Sequence, residues 1–506
     1  MTEQQEFIRC ARVRDLFPGQ VLESLRTIAV TRPTGVYLVG GTVRDLLLGR
    51  RPADLDLTVC CHARAWAREL ARDCGGTFVE LGRDEDAARV VYQGEGIDFS
   101  SFRAGAVNID QELALRDLCV NAMAVAIDPL LANRPCDPDA PLALIDPLGG
   151  REDLARRRIR LCSPRAIIDD SLRLVRVFRF AASLDFTVDQ DTLTEVRSQV
   201  DRIQSVAVER VSHELELIMA SPRAHGAFAE MAATGLLFTI MPELVPGVGM
   251  EQPASHHLDV FAHLLEALAQ IERIVANPDG LYPGRDEIRA WISDGRHRRQ
   301  LKWAAFLHDV GKPSTYGINE DKGGRITFYY HDHRGADMVR EIGTRLRWPL
   351  EDIDRISHLV RLHMRPFFLA NDQRQGRLTL KACLRLVREA GEALPGLFLV
   401  AMADALAGKG TGSPEKMEEE LALLYDKLIR VWQERVQPVQ SAQPLLNGHD
   451  LIDELGLRPG PLMGKILNRL QDARMEGRVA TRSEALALAG RYMRELEKEQ
   501  ERDSRK

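Results

Sequence analysis

The stretch YLVGGTVRDLLLGRRPADLDLTV, residues 37–59, limits the possible fold more than any other part of the sequence. An apolar run leads into a glycine pair, a leucine-rich segment follows, and a second apolar run carries Asp54 and Asp56. Because alternate residues of a β-strand point to the same face, we expect both carboxylates on one face of a largely buried strand. Two carboxylates aimed together repel each other unless a cation lies between them, and such hard oxygen ligands suit Mg²⁺. The stretch therefore predicts a magnesium site on a strand that follows a glycine turn.

The glycine pair, Gly40 and Gly41, predicts a turn that leads from a strand into a helix at TVRDLLLG. Backbone N–H groups at a helix N-terminus bind phosphate, and Arg44 would add a positive charge beside it. Together with the aspartates, these features predict nucleotidyl transfer, in which one metal ion activates the attacking hydroxyl and another holds the triphosphate. Taken alone, the same residues are also typical of an ordinary turn and a polar strand end, so the downstream sequence has to decide.

Length and charge set the limits on domain number and partners. A chain of 506 residues exceeds what one core usually holds, so we expect about three or four domains. The formal net charge of −6 excludes a uniformly basic nucleic-acid-binding protein. Any RNA or DNA site must therefore be a local basic patch on an acidic molecule.

The cysteines and the apolar runs bear on the cellular compartment. The cysteines form no CxxC pair and no regular spacing, so we expect reduced, mostly buried thiols in a cytoplasmic protein. The N-terminus shows no signal peptide, and the best apolar run, ALPGLFLVAMADALAG, is interrupted by Asp404 and too short to span a bilayer. The eight cysteines are Cys10, Cys60, Cys61, Cys74, Cys119, Cys136, Cys162 and Cys383.

The periodicity of apolar residues changes along the chain. About the first 130 residues mix short β-rich runs with a few helices, which predicts a sheet domain. From about residue 150 onward, amphipathic segments of helical period follow one another. Connectors rich in proline and glycine, VPGVGMEQPASHH and VQPVQSAQPLLNGHD, indicate boundaries near residue 250 and before a final helical segment.

Five sequence blocks in a fixed order resemble the class II tRNA nucleotidyltransferase and bacterial poly(A) polymerase family. The blocks are GGTVRD…DLD, LALRDLCVNAMAV, IDPLGGREDL, DDSLRLVRVFRF and ERVSHELELIM. The resemblance implies an α+β fold, in which a nucleotidyltransferase head with a mixed β-sheet precedes an all-α neck and body, an all-α HD domain and a helical tail. The expected boundaries are 1–145, 146–245, 246–420 and 421–506.

The same resemblance implies roles for individual residues. Asp54 and Asp56 would hold Mg²⁺, and Asp98 lies where the family tends to place a third acidic residue near the metal. For Asp98, a polar residue on a half-exposed strand is an equally good interpretation. The nucleotide would be bound by Gly40, Gly41, Arg44, Arg116, Asp117, Asn121, Asp170, Arg173, Arg176 and Arg179.

Asp170 and Arg173 are the predicted base-selecting pair. Three residues apart on a helix, they would share one face. A carboxylate accepts from the exocyclic amine of cytosine or adenine, and a guanidinium donates to the neighbouring ring acceptor. Such a bidentate match rejects uracil and guanine by about 1–3 kcal/mol. The alternative is that Asp169 and Asp170 complement the helix dipole and that the arginines Arg173, Arg176 and Arg179 form a solvated face.

A second group of residues resembles the HD phosphohydrolase superfamily. It comprises the segments HHLDVFAHLLEAL, AAFLHDVGKP, FYYHDHRGADM, VRLHMRPF and LVAMADALAGKG. The resemblance implies one metal on His263, His308, Asp309 and Asp404, and a possible second metal helped by His333 and His363. Imidazole and carboxylate ligands suit Mn²⁺, Ni²⁺, Fe²⁺ or Mg²⁺, with a bound water as nucleophile. Phosphatase or 2′,3′-cyclic phosphodiesterase activity is the expectation.

The sequence therefore predicts a template-independent enzyme that adds CMP or AMP to tRNA 3′ ends, with tRNA, CTP and ATP as partners, no DNA and no membrane. The alternatives are a poly(A) polymerase, and an HD phosphohydrolase whose head only binds RNA. The basic segments GREDLARRRIRL and DGRHRRQLKW would contact the tRNA backbone, unless they are solvated helix faces. The short connector AGAVNIDQELAL favours addition of cytidines alone, although VELGRDEDAARVV is an alternative mobile segment. Oligomeric state stays open.

Overall fold

The computed structural model describes residues 7–503 except 33–34, 83–84, 104, 133–135 and 413. The chain forms two compact units, of which the first ends at Pro242 and the second begins at Glu243. The boundaries expected at residues 145 and 420 stay predictions.

A mixed sheet is the centre of the first unit. Its spatial order is β1-β8-β7-β2-β3-β6-β5-β4. Strands β3 and β6 run parallel, and the other neighbouring strands of the described sheet run antiparallel. The strands are β1 (Phe7–Arg9), β2 (Val36–Val39), β3 (Asp54–Val59), β4 (Thr77–Glu80), β5 (Ala87–Tyr92), β6 (Glu95–Ser101), β7 (Ala124–Ala126) and β8 (Pro141–Ile145).

Helices pack against this sheet, and the packing buries their apolar faces. Trp66 and Leu70 of the fourth helix, for example, are fully buried. The helices around the sheet are α1 (Cys10–Arg14), α2 (Gly19–Thr31), α3 (Gly40–Leu47), α4 (Ala63–Cys74), α5 (Ile109–Ala114), α6 (Asp128–Leu131) and α7 (Gly150–Ala155).

The rest of the first unit is helical apart from one short parallel strand pair, β9 (Arg158–Ile159) and β10 (Thr187–Val188). The apolar stripe of the segment DDSLRLVRVFRF becomes a buried face, with Leu174, Val177 and Phe178 fully covered. The helices are α8 (Arg165–Asp169), α9 (Arg173–Leu184), α10 (Gln190–Gln199), α11 (Val208–Ala220), α12 (Ala224–Ala233) and α13 (Leu236–Ile240).

The second unit is almost entirely helical, with one hairpin of β11 (Tyr316–Asn319) and β12 (Arg325–Phe328). Its helices are α14 (Val260–Ala276), α15 (Asp286–Ser293), α16 (Gly295–Leu307), α17 (His331–Arg345), α18 (Leu350–Leu362), α19 (Arg365–Arg374), α20 (Leu380–Ala390), α21 (Leu394–Ala407), α22 (Met417–Val431), α23 (Gln437–Ser441), α24 (Gly448–Leu455), α25 (Pro461–Met475) and α26 (Arg482–Asp503). A separate small core, which includes Leu451, Ile466 and Ala485, holds the last three helices together. The predicted α+β class, with a mixed-sheet head followed by helical parts, is confirmed.

Helical residues Leu380–Ala407 are long and apolar enough to cross a membrane by length and composition alone. However, 72% of their apolar window is buried inside the protein. This burial is typical of the core helix of a helical domain, and it also covers Asp404, the acidic residue that interrupts the apolar run.

The prediction that all cysteines are reduced thiols was wrong for one pair, because Cys10 and Cys136 form a disulfide. Strand β1 pairs with β8, and the N–H groups of Cys10 and Ala11 donate to the carbonyls of Ala140 and Pro138. These contacts bring together two cysteines that are 126 residues apart in sequence, a distance at which spacing carries no signal. The other cysteines form no disulfide within the described residues, and Cys60 and Cys61 are exposed.

Gly150 lies where helix α7 meets the carbonyl of Cys119. A Cβ at this position would come 2.2 Å from that carbonyl oxygen, so the substitution Gly150→Ala forces the backbone apart. We expect it to lower the free energy of unfolding by about 1–3 kcal/mol, measured by denaturation of the full chain. Gly226 of α12 has nothing within 4 Å of its Cβ direction, so Gly226→Ala should be neutral or stabilising. Equal stability of the two variants would contradict this account of Gly150.

Candidate active sites

The sheet register places three aspartates and one arginine in a compact group. In the parallel pair of β3 and β6, Asp56 lies opposite Asp98, and in the antiparallel pair of β5 and β6, Arg89 lies opposite Asp98. Asp54 is two residues before Asp56 and therefore points to the same face. The expected pairing of Asp54 with Asp56 thus gains Asp98 as a neighbour.

Arg89 holds two of these carboxylates. Its Nε donates to Asp98 Oδ1 at 2.7 Å, and its Nη2 donates to Asp98 Oδ2 at 2.9 Å and to Asp54 Oδ2 at 3.2 Å. Hydrogen bonds to Asp98 and the charges of the three aspartates raise the pKa of Arg89. Asp98 is therefore occupied by a guanidinium, whereas Asp56 stays open to another cation. Arg89 was missed in the sequence, where only its position in a strand before Asp98 could have pointed to it.

Asp56 lies against the glycine turn. A Cβ on Gly40 would lie 3.1 Å from Asp56 Oδ2 and 2.9 Å from Arg116 Nη1, and Gly40 has φ +66°. Only glycine combines this close approach with this backbone conformation. Thr42 fixes the strand beside it, because its Oγ1 accepts from the Asp56 N–H and donates to the Asp54 carbonyl.

The electrostatics of this group favour a bound cation. Burial raises the pKa of Asp56, Arg116 opposes the rise, and Asp98 and Asp54 add to it. An ion between Asp54 and Asp56 would remove this repulsion, and the donor set of carboxylate oxygens is the one that Mg²⁺ prefers. The residues of the site therefore fit Mg²⁺.

The second sequence block, LALRDLCVNAMAV, forms hydrogen bonds with α3 and α9. The side chains that make these bonds are ones that we expected to bind the nucleotide. Arg44 Nη1 donates to Asn121 Oδ1 at 2.8 Å. Arg176 Nη2 donates to Asp117 Oδ2 at 2.6 Å, and although burial opposes ionisation, Arg176 lowers the pKa of Asp117 to about 2. Arg116 lies largely buried beside Asp56, and this burial lowers its pKa.

The structure does not place Asp170 and Arg173 as a pair on one helix face. Asp170 ends α8 with an extended backbone, and α9 begins only at Arg173. Arg173 is 9% exposed, and its guanidinium donates to the carbonyls of Leu115, Arg116 and Ala166. Asp170 Oδ2 instead accepts from Arg210 at 2.9 Å. The helical spacing fails here because the chain turns between the two residues.

Arg176 and Arg179 are not a solvated face either. Both donate to Glu214 of α11, at 3.3 and 2.9 Å, and Glu214 is 3% exposed. Arg179 also lies over the ring of Phe180, with its Cζ 3.5 Å from the centroid. Glu214 was missed in the sequence, although the block ERVSHELELIM contains it.

A buried cluster of histidines and aspartates occupies the second unit. His263 Nε2 and His308 Nε2 are 3.2 Å apart, and Asp404 Oδ1 lies 3.1 Å from His263 Nε2. Asp309 Oδ2 lies 3.1 Å from His308 Nε2. All four expected residues are therefore brought together, from α14, α21 and the end of α16.

Asp309 extends the cluster toward a second group. Its other oxygen, Oδ1, lies 3.2 Å from His331 Nε2 and 3.6 Å from His363 Nε2. The two imidazole Nε2 atoms are 3.2 Å apart. Asp309, His331 and His363 thus form a metal-sized group of buried ligands.

His331, not the expected His333, belongs to this group. His331 begins α17 and is 9% exposed, whereas the side chain of His333 is 45% exposed and lies 3.0 Å from Asp332 Oδ1. His256 is a further residue that sequence reasoning missed, since it shares the first group with His263, Asp309 and Asp404. Burial and then Lys312 lower the pKa of His256 to about 3, so its ring is neutral, as a metal ligand must be.

The imidazole tautomers indicate that this cluster fits metal ions. Nδ1 of His308, His331 and His363 lies 2.8, 2.7 and 2.6 Å from the carbonyl oxygens of Ala305, Phe328 and Val360. A neutral ring that donates from Nδ1 keeps its lone pair on Nε2, and the Nε2 atoms face one another at the distances above. Such facing lone pairs repel unless a positive charge lies between them.

The aspartates favour a positive charge at the same place, and without a metal ion a proton on His308 supplies it. Burial opposes protonation of His308, but Asp309 and Asp404 outweigh it and raise its pKa to about 10. Although burial opposes ionisation, His308 holds the pKa of both aspartates well below the usual range. The cluster therefore attracts a cation, and its mixed nitrogen and oxygen donors suit Mn²⁺, Ni²⁺, Fe²⁺ or Mg²⁺.

Models of known protein families match four segments of the chain, and these segments include both sites. Residues 36–160 match the poly A polymerase head domain, and residues 185–247 match the "Probable RNA and SrmB-binding site of polymerase A". Residues 260–408 match the HD domain, and residues 417–489 match domain 2 of tRNA nucleotidyltransferases. An A-adding tRNA nucleotidyltransferase of Deinococcus radiodurans is 36% identical over 92% of this chain and 96% of its own. The chain belongs to the tRNA nucleotidyltransferase family.

Other members of the tRNA nucleotidyltransferase family align over similar lengths. A CC-adding enzyme of Thermus thermophilus is 31% identical over 90% of this chain and 93% of its own. A CCA-adding enzyme of Thermotoga maritima, solved in complex with tRNA, has a TM-score of 0.60 at 20% identity, covering 96% of this chain and 99% of its own. The family resemblance read from the five sequence blocks is confirmed, and the structural likeness supports the fold.

In the two basic segments expected to contact the tRNA backbone, most arginines already form ion pairs with acidic residues of the same protein. Arg158 and Arg160 both bind the fully buried Asp153, at 2.6 and 2.9 Å. Arg296 binds Glu351 at 2.5 Å and Asp352 at 2.7 Å. Asp153, within the first segment itself, and Glu351 and Asp352, far from the second segment along the chain, thus neutralise charges that looked free in the sequence.

The two histidines of the segment HDH offer a matched pair for the second group of HD ligands. We expect His331→Ala to lose one bound divalent ion and His333→Ala to retain it, because only the His331 ring contacts Asp309 and His363. Metal content after incubation with Mn²⁺ and removal of free ion, measured by mass spectrometry, is the readout. Equal metal content in the two variants would contradict the assignment of His331.

Proposed function

We propose that this chain is a cytoplasmic tRNA 3′-end nucleotidyltransferase that adds CMP or AMP without a template, from CTP and ATP. The observation that carries the proposal is the group of Asp54, Asp56 and Asp98 beneath the Gly40–Gly41 turn. It lies in a chain that aligns over nine-tenths of its length with enzymes named for this activity.

In this proposal each residue has a defined task. Asp54 and Asp56 would hold Mg²⁺, which when bound activates the attacking hydroxyl and stabilises charge on the triphosphate. Gly40 and Gly41 leave room for the nucleotide phosphates at the N-terminus of α3, and Arg44 adds a positive charge. Arg89 holds Asp98 in place through two hydrogen bonds.

Base choice is proposed to rest on Asp170 with help from Arg173. The Asp170 side chain is 34% exposed and can accept from an exocyclic amine when Arg210 moves aside. Arg173 would act through its contacts with the carbonyls of Leu115 and Arg116, by positioning the segment that carries the second block.

A second activity is proposed for the HD cluster. His263, His308, Asp309 and Asp404 would hold one divalent ion, and Asp309, His331 and His363 another. A metal-bound water would supply the nucleophile for phosphoester hydrolysis. The buried, charge-balanced arrangement of these ligands favours an active hydrolase over an inactive remnant.

A poly(A) polymerase shares the head, but two observations favour tRNA. The relatives that align over most of both chains are tRNA nucleotidyltransferases, and residues 417–489 match a domain named for the same enzymes. A binding-only head is disfavoured because Asp54 and Asp56 are both present and on one strand.

The two activities should separate by mutation. Asp54→Ala or Asp56→Ala should reduce nucleotide addition by about 10³-fold, since metal ions supply several kcal/mol and about 1.4 kcal/mol is tenfold in rate. His308→Ala or Asp309→Ala should abolish phosphohydrolase activity and spare addition, because the two sites share no ligand. Incorporation of labelled CMP and AMP into tRNA, and ring opening of 2′,3′-cyclic AMP to adenosine monophosphate with Mn²⁺ or Ni²⁺, are the measurements.

Two exposed residues serve as controls for this experiment. Asp73→Ala removes a surface carboxylate of α4, and His257→Ala removes an exposed histidine beside the HD site, so both variants should keep both activities. Near wild-type addition by Asp54→Ala would exclude the metal site on β3. Absence of hydrolysis by the wild type with every divalent metal tested would exclude the second activity.

The choice of nucleotide rests on how the binding segment can move. Between β6 and α5 lie residues 102–108, of which residue 104 lies outside the described residues, as do residues 83–84 of the alternative mobile segment. A pocket that must change from cytosine to adenine needs a mobile element, and so short a connector favours a single setting. We therefore propose partial synthesis of the CCA end, with cytidine addition as the first candidate. The 36% identity to an A-adding enzyme favours adenosine addition as the second.

tRNA substrates whose 3′ ends lie at different points of the CCA sequence distinguish these candidates. A tRNA ending before CCA, given CTP and ATP together, should yield products extended by two cytidines that stop there. A tRNA already ending in CC, given ATP, should then remain unextended. Extension of the CC-ending tRNA without activity on the shorter one would establish adenosine addition, and a full CCA end would overturn partial synthesis altogether.

A further inference from the structure

A large cavity adjoins the HD cluster. Its volume is about 1220 Å³, and Asp309, His331 and Asp404 lie in its wall. Pockets of roughly 300–1,000 Å³ already hold drug-sized ligands, so a single phosphate group would fill only a small part of this space. The remainder of the wall should therefore fit the group to which the phosphate is attached.

Three aromatic side chains, named here the aromatic rim, line this cavity and are exposed. Tyr329 and Tyr330, which follow β12, are 59% and 73% exposed, and Phe368 of α19 is 53% exposed. Single exposed apolar residues are ordinary, but three rings around one cavity beside buried polar ligands indicate a surface that a ligand covers.

Tyr330 is also held in an uncommon backbone conformation. Its φ of +63° lies in the left-handed region, which residues with bulky side chains rarely adopt. The residue turns the chain from β12 into α17, so the same turn that exposes the Tyr330 ring places His331 in the metal-ligand group. Because Tyr330 and His331 are adjacent, the aromatic rim has a fixed position relative to the metal-ligand group.

Positive charge lies in the same wall. Lys312 is 5% exposed, with Nζ 2.5 Å from Asp309 Oδ2 and 2.6 Å from Gln252 Oε1. Arg325 and Arg361 line the cavity farther out, are exposed, and make no ion pair within the described residues. The acidic wall residues Glu389 and Glu418 do have cationic neighbours, Arg365 at 3.4 Å and Lys409 at 3.6 Å. The two outer arginines therefore remain available to an anionic ligand.

We propose that this cavity takes the 3′-phosphorylated end of a single RNA strand, with a base stacked on the aromatic rim and a backbone phosphate near Arg325 and Arg361. This inference rests on the hydrolase function proposed for the HD cluster. Aromatic side chains bind bases of any sequence because every base has a π-face, and guanidinium groups bind phosphates through planar pairs of donors. A phosphomonoester without a base would reach the ligands and leave the rim uncovered.

The proposed reaction is a hydrolysis that needs only water. The water oxygen forms a bond to the terminal phosphorus, and the bond from phosphorus to O3′ breaks. One proton of that water passes to O3′, which leaves a 3′-hydroxyl on the RNA and releases inorganic phosphate. The rim and the arginines take no part in this bond exchange, so they act on specificity alone.

Substrate preference tests the role of the rim. The full chain is assayed with Mn²⁺ on a trinucleotide carrying a 3′-phosphate and, separately, on glycerol 2-phosphate. We expect Tyr329→Ala and Phe368→Ala each to lower kcat/KM for the trinucleotide by about tenfold, mainly through KM, and to leave hydrolysis of glycerol 2-phosphate unchanged. Tyr316→Ala is the matched control, because Tyr316 is 47% exposed on the same hairpin but lies outside the cavity wall.

Equal losses on both substrates, or no preference of the wild type for the trinucleotide, would overturn the proposal. A second measurement separates this failure from absence of hydrolysis altogether. A trinucleotide with 5-iodouridine next to its 3′-phosphate is photo-crosslinked to the wild type, and the attached residue is located by mass spectrometry. Crosslinks at Tyr329, Tyr330 or Phe368 would support the rim even without turnover, and crosslinks confined to residues before Glu243 would exclude it.

Discussion

The parallel pairing of β3 with β6 determines the positions of Asp54, Asp56 and Asp98 relative to one another. Because Leu55, Leu57, Ile97 and Phe99 are buried, each strand has one register in which its apolar side chains are covered. A slip by one residue would turn all carboxylates to the opposite face. Apolar packing, rather than attraction between the charges, therefore brings the aspartates of β3 and β6 together. Their repulsion is left for Arg89 and a metal ion to offset.

In the second unit, helices rather than strands bring the candidate metal ligands together. His308, His331 and His363 each place Nδ1 near the carbonyl of the residue three positions earlier, although they lie in three different segments. This local contact fixes the tautomer and aims Nε2 at the common centre. Burial of Asp309 and Asp404 is then tolerable because imidazoles surround them. The cluster is thus built from repeated local geometry together with helix packing.

The sequence was sufficient to identify most residues of the two candidate sites, but it did not predict which side chains contact one another. The aspartates of β3 and the His308–Asp309 pair were identifiable because strand alternation and order along the chain are local properties. The choice between His331 and His333 depends on where α17 begins, which the left-handed residue Tyr330 decides. The break after Asp170 was hidden because the apolar pattern continues through it. Ion pairs such as Arg296 with Glu351, and the Cys10–Cys136 disulfide, depend on tertiary contacts that no spacing reveals.

The segment from Leu115 to Asn121 links Arg173, which is proposed to help base choice, to the proposed metal site within the first unit. At one end Arg173 of α9 donates to the Leu115 and Arg116 carbonyls, and at the other Arg44 of α3 donates to Asn121. The guanidinium of Arg116 lies against the Gly40 turn, where its charge acts on Asp56. Any shift of α9 would therefore move Arg116 and change the field at the carboxylate that is proposed to hold the metal. A substitution of Arg173 would act on both nucleotide selection and metal binding, because the same side chain holds the segment between them.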